Sequence, residues 1–176
     1  MTSLWMENGR KTRAGVVVAP VNFMLREDII LTDVGEQAAS GEVTILRKGK
    51  EFFTYDEAIA LQEQGEFPAG WRLPTVEEAQ ALMKEFPPKD ADSPSSNIVD
   101  ELRLELCGYV YPNMNEYNED PVYYGFATNR ILEGRIWLDD AEKDGFYGLW
   151  VRRFKEPIIQ TFYHGSGANI RLVHEI

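Results

Sequence analysis

A chain of 176 residues with 44% hydrophobic and 27% charged side chains has the make-up of one globular domain with its own core, which sets aside bulk disorder and two full-sized domains. Its net charge of −11 and pI near 4.7, with Lys and Arg scattered rather than gathered into a stripe, exclude nucleic acid as an expected partner. A single cysteine, Cys107, leaves no internal disulfide, and no run approaches the roughly 18 apolar residues of a membrane span.

Residues 1–13 are polar and basic without the apolar segment of a secretory signal, so the expected setting is the cytoplasm at synthesis. A virion protein released by lysis would read the same way. From Ala14 the run AGVVVAP, then residues 22–25 and 28–31, are short β-branched stretches broken by Pro20 and by charge, and they predict an N-terminal β-hairpin or meander. A small-residue loop over 35–41 leads to another strand at 43–46, turning at Lys48, Gly49 and Lys50. Residues 1–50 are thus expected to form a β extension packed on a domain spanning 51–176.

Two helices follow with the same entry signal. Thr54 precedes Glu57 by three residues, and Thr75 precedes Glu78 by three, the spacing of a capping box. In the first, Tyr55, Ala58, Ile59 and Gln62 share a face. In the second, Val76, Ala79, Leu82, Met83 and Phe86 recur at helical spacing and mark a core stripe. Pro87 and Pro88 end it, and 89–97 reads as an exposed loop. Ile98, Leu102 and Leu106 suggest a third helix over 98–106. Beyond Cys107, the segments 109–111, 122–126, 134–138, 146–154 and 170–173 are apolar or alternating and separated by turn residues such as Asp144 and Gly145. They predict an antiparallel sheet, and the expected class is α+β, two helices packed on antiparallel sheets with long loops.

The segment Ala69-Gly70-Trp71-Arg72-Leu73-Pro74-Thr75, followed by Glu77 and Glu78, resembles the GWRLPT signature of the Fibrobacter succinogenes major paralogous domain and the related DUF1566 proteins. More distantly it is similar to the formylglycine-generating enzyme family. The strand Gly134-Arg135-Ile136-Trp137 and the closing segment 169–173, with Arg171, fall in the order of that family, and the resemblance covers 52–176. It implies a C-type-lectin-like fold. Independently of it, Trp71 offers a large apolar body with an N–H that needs a partner. Arg72 can fork onto a carboxylate, and Pro74 sets the chain for the cap at Thr75.

Formylglycine-generating enzymes oxidise with a copper-bound cysteine pair, and Cys107 has no second cysteine to join it. Related enzymes hold iron with His, Tyr and Cys, but His164 and His174 are the only histidines, in no metal-binding spacing. No Ser-His-Asp set, phosphate loop or nucleophile elbow is present. The expectation is a protein without catalytic residues, metal or cofactor. The loop 112–121 gathers Asn113, Asn115, Tyr117, Asn118 and Asp120, and 139–145 begins with Asp139 and Asp140 just before Tyr147. Hard oxygens beside tyrosines suit a sugar or protein surface, and they suit solvated turns equally well. The expected function is a non-catalytic binding or assembly module taking a protein, a glycan or its own copies. The alternatives are a structural protein of a phage particle, with 14–46 mediating oligomerisation, and a divergent enzyme of the formylglycine-generating type.

Overall fold

The computed structural model describes residues 2–32, 43–110, 132–140, 146–163 and 165–176. In chain order its elements are α1 (Thr2–Asn8), β1 (Arg10–Lys11), β2 (Val16–Val18), β3 (Leu25–Thr32), β4 (Val43–Lys50), α2 (Tyr55–Glu63) and β5 (Trp71–Arg72). They continue with α3 (Val76–Glu85), α4 (Ser96–Leu102), β6 (Glu133–Trp137), β7 (Tyr147–Arg152), β8 (Lys155–Thr161) and β9 (Val173–Glu175). Among the described residues the strands form three antiparallel sheets, ordered β1-β2-β9-β5, β3-β4 and β6-β7-β8. The class is α+β.

The first sheet is built around β9. It pairs with β2 on one side, Val18 opposite Val173, and with β5 on the other, Trp71 opposite His174. Side chains of a strand point alternately to opposite faces, and here both faces are covered. Val17 joins one core with Phe53, Trp71, Leu73 and Trp137, whereas Val16 and Val18 join a second with Leu82, Ile98, Leu138 and Val151. This explains why 16–18 is an unbroken valine run rather than an alternating one. The end of β6 does the same, sending Ile136 and Leu138 to the second core and Trp137 to the first. Residues 10–18, expected within an N-terminal extension, therefore lie in the same sheet as the motif strand β5.

Both capping boxes form. Thr54 accepts from the Glu57 amide at 3.1 Å while the Glu57 carboxylate accepts from the Thr54 amide at 2.9 Å, and Thr75 and Glu78 repeat the pattern. Ala79, Leu82 and Phe86 are buried, with Val76 and Met83 packed partly against them. The third helix is shorter than the four-residue rhythm suggests. It stops at Leu102 because Arg103 takes a left-handed conformation, φ 50°, which ends the helix and leaves Leu106 half-buried beyond it.

Two elements have no counterpart in the sequence reading. Helix α1 covers seven polar and apolar residues without clear periodicity. It is held by tertiary packing, the Trp5 ring standing edge-on to Trp71 at 5.4 Å. Strand β8 contains Pro157, which a central strand would not tolerate, but β8 is the outer strand of its sheet.

Candidate functional site

The motif strand begins in a tight turn. Gly70 has φ +81°, which favours glycine, and a Cβ there would stand 2.4 Å from the His174 ring and displace it. The turn places Trp71 and Arg72 beside β9. Trp71 is buried, packed edge-on against Trp5 and against His174. Arg72 makes a forked pair with Glu78, 2.7 and 2.9 Å, and donates to the Leu73 carbonyl at 3.2 Å. The same Glu78 carboxylate closes the capping box of α3. One acidic side chain thus joins the motif strand to the helix that follows.

Burial works to raise the Glu78 pKa, but the hydrogen bonds from Arg72 and Thr75 and the Arg72 charge outweigh it and hold the carboxyl below its ordinary 4.5. The depressed value makes the carboxylate a source of folding stability that is fully present above pH 4.5 and lost as pH falls through the folded pKa. We expect Glu78→Gln to lower stability at neutral pH by about 1–3 kcal/mol, the worth of charge-assisted hydrogen bonds to a partly buried group. Urea midpoints of the two proteins should converge below pH 4.5, and a gap independent of pH would refute the assignment.

Pro74 and Thr75 carry the motif to the first candidate loop. The Asp139 amide donates to the Pro74 carbonyl at 2.8 Å, and Thr75 and Asp139 form an isolated parallel bridge. Gln62, on the inward side of α2, completes the joint. Its Oε1 accepts from the Leu73 amide at 2.8 Å, and its Nε2 donates to the Asp139 carboxylate at 3.0 Å. The Tyr55 hydroxyl lies against the same turn. Burial, then the charges of Asp139 and Asp140, push its pKa above the ordinary phenol value, while a hydrogen bond with the Asp140 backbone acts in the opposite direction. Asp139 and Asp140 themselves are half-buried.

Tyr147 opens β7 at the same end of the sheet, since its carbonyl accepts from the Leu138 amide at 3.0 Å. Its side chain is half-buried and packs partly against the second core. Asp139, Asp140 and Tyr147 are therefore brought to one end of β6 and β7. Asn113, Asn115, Tyr117, Asn118 and Asp120 lie outside the described residues, as do 141–145.

The remaining motif residues hold the frame. Trp137 is fully buried, its indole N–H donating to the Phe53 carbonyl at 2.6 Å, with Tyr55 and Phe162 edge-on at 5.6 and 5.5 Å. Arg171 is 2% exposed. Its guanidinium donates to Asn22 Oδ1 and to the carbonyls of Ala19, Leu102 and Arg103 at 2.8–3.1 Å. Burial pushes its pKa down to about 10, against the charges of Glu105 and Cys107.

Gln62 and Tyr55 are the site residues that sequence reasoning did not assign. A glutamine sharing a helix face with Tyr55, Ala58 and Ile59 was the available signal, because a polar group on a buried face needs a partner. Arg135 was also passed over. Its guanidinium lies 3.4 Å from the Tyr109 ring centre and 4.7 and 4.8 Å from those of Trp150 and Phe162. Its neighbour Glu133 takes the Trp150 indole N–H at 2.6 Å. These rings are non-local partners, which no spacing rule reports.

Among the described residues no group of three His, Cys, Asp or Glu side chains could hold a metal ion, and no helix is long and apolar enough to cross a membrane. A cleft of about 410 Å³ opens elsewhere, between α1 and α4, with Arg10, Glu101 and Arg103 in its wall. Arg10 and Glu101 pair across it at 2.7 Å. Compared with family models, curated proteins and solved structures, the chain matches none of them.

Proposed function

We propose that this chain is a non-catalytic binding or assembly module of C-type-lectin-like fold, recognising a protein or glycan through the loops 112–121 and 139–145. The observation that supports this reading is the footing of the second loop. Asp139 is tied by its amide to Pro74 and by its carboxylate to Gln62, so a rigid joint carries a half-buried Asp140. A preorganised loop root lowers the ordering cost of binding. The resemblance of 69–75 to the GWRLPT signature supplies the fold name, and a fold by itself does not assign a ligand.

The test is a glycan array and a partner capture run in parallel with the wild-type chain and with N115A/N118A/D140A. Asp139 is left intact because it holds the frame. The variant should keep the circular dichroism of the parent and lose at least about tenfold in affinity, the 1.4 kcal/mol expected of a few lost polar contacts. A ligand bound equally by both chains, or a wild-type chain that captures nothing, would sink the loop assignment.

A further inference from the structure

Among the described residues β3 and β4 form a two-stranded sheet of their own. Its strands pair through eight consecutive positions, Leu25 opposite Lys50 through Thr32 opposite Val43, and among the described residues no third strand joins either edge. Eight residues of antiparallel strand span roughly 27 Å. Such a two-stranded ribbon is marginal alone in water, and its bare edges are templates for further pairing. Its foot is nevertheless firm. Leu25 packs partly against the first core, Lys50 pairs with Glu57, and the flanking amides of Phe23 and Phe53 donate to Ile170 and Ala168 at 2.7 and 2.9 Å.

The two strands differ in charge. β3 carries Glu27 and Asp28 beside one Arg26, whereas β4 carries Arg47, Lys48 and Lys50 without an acid. Within the ribbon the register sets Glu27 opposite Lys48 and Asp28 opposite Arg47. Beyond these pairs the sequence turns apolar, with Ile29 opposite Leu46 and Ile30 opposite Ile45. Two antiparallel β4 edges in full overlap would set Arg47 and Lys48 opposite Leu46 and Ile45, and two β3 edges would set Asp28 and Glu27 opposite Ile29 and Ile30, so neither offers a charge its opposite. The edge that complements β3 is β4.

We propose that the ribbon is an assembly arm, in which the acidic β3 of one copy of this chain pairs with the basic β4 of the next. Ribbons pointing the same way around an axis reproduce between copies the antiparallel register they have within one, Glu27 against Lys48 and Asp28 against Arg47. Such a contact is head-to-tail, and it closes into a ring where the rotation from one copy to the next divides a full turn. Two copies supply only four strands, too few to close around a core, so the ring contains more than two. The proposal does not depend on loop recognition, since neither candidate loop takes part.

The experiment is light scattering on the 176-residue chain at about 100 µM, where mass action favours association. The wild-type protein is expected above twice 20.1 kDa. Replacing 26–49 by an Asn-Gly turn joins Leu25 to Lys50, which already stand opposite each other. That chain should keep the near-ultraviolet signature of buried Trp71 and Trp137 and take the mass of a single copy. The exchange E27K/D28K/R47E/K48E keeps opposite charges paired within the ribbon, so that chain should assemble with itself but not with the wild-type chain, whose strands would meet it with like charges. A wild-type monomer or dimer, an assembly that survives removal of the ribbon, or exchanged and wild-type chains that share one assembly would each overturn it.

Discussion

Replacing Arg171 by methionine is expected to lower folding stability by about 3–5 kcal/mol, read as a fall in urea midpoint at unchanged slope. The side chain keeps its length and apolar stem but loses every donor. The buried carbonyls of Ala19 and Leu102 then lose their donor, as does the part-buried carbonyl of Arg103, and each buried acceptor left without a partner carries its own desolvation penalty. Two of those carbonyls belong to the C-terminal end of α4, where no further helical turn exists to satisfy them. Arg171→Lys retains the charge but not the fork, so its loss should fall between those of the parent and the methionine variant. A methionine variant within about 1 kcal/mol of wild type would mean that apolar packing replaces the cation without penalty, as it can for some buried charges.

Trp137→Ala should destabilise by a similar amount, about 3–5 kcal/mol from lost burial and the cavity left behind. In a domain of this size that lowers the melting temperature by roughly 10 °C or more. The informative comparison is Trp137→Phe. Phenylalanine refills part of the space between Tyr55 and Phe162, but it leaves the Phe53 carbonyl without the indole donor. A loss of about 2 kcal/mol or more for Phe would assign the hydrogen bond a share of its own. A loss well under 1 kcal/mol would assign the effect to volume alone.

These two residues mark where sequence reasoning stops. The capping boxes at Thr54 and Thr75 were legible because donor and acceptor lie three residues apart, and the stripe of α3 because helical periodicity is a local property. Arg171 was visible as a member of a closing segment, but its partners come from the ends of β2 and α4, far away in the chain, and no spacing relates them. The end of α4 was misjudged for the same reason. The rhythm of Ile98, Leu102 and Leu106 continues, yet the left-handed Arg103 and the donors of Arg171 close the helix at Leu102. Helix α1 escaped notice because it owes its place to Trp5 against Trp71 rather than to any pattern of its own. Of the candidate site, Asp139, Asp140 and Tyr147 converge at one end of β6 and β7. The latch that fixes them, Gln62, depends on a contact across 77 positions.

The position of β9 has a consequence for biosynthesis. Val18 must wait for Val173, and the motif strand at Trp71 must wait for His174. While the ribosome is still reading the intervening codons, β2 and β5 have no strand between them, and the valines of 16–18 lack half of their sheet. Helices α2 and α3 can form from local signals during that interval, but the layer that unites both cores cannot. Long-range closure of this kind slows folding and leaves unpaired edges open to association. A premature stop a few codons before position 173 would therefore release a chain without β9, with a gap where its two halves should meet.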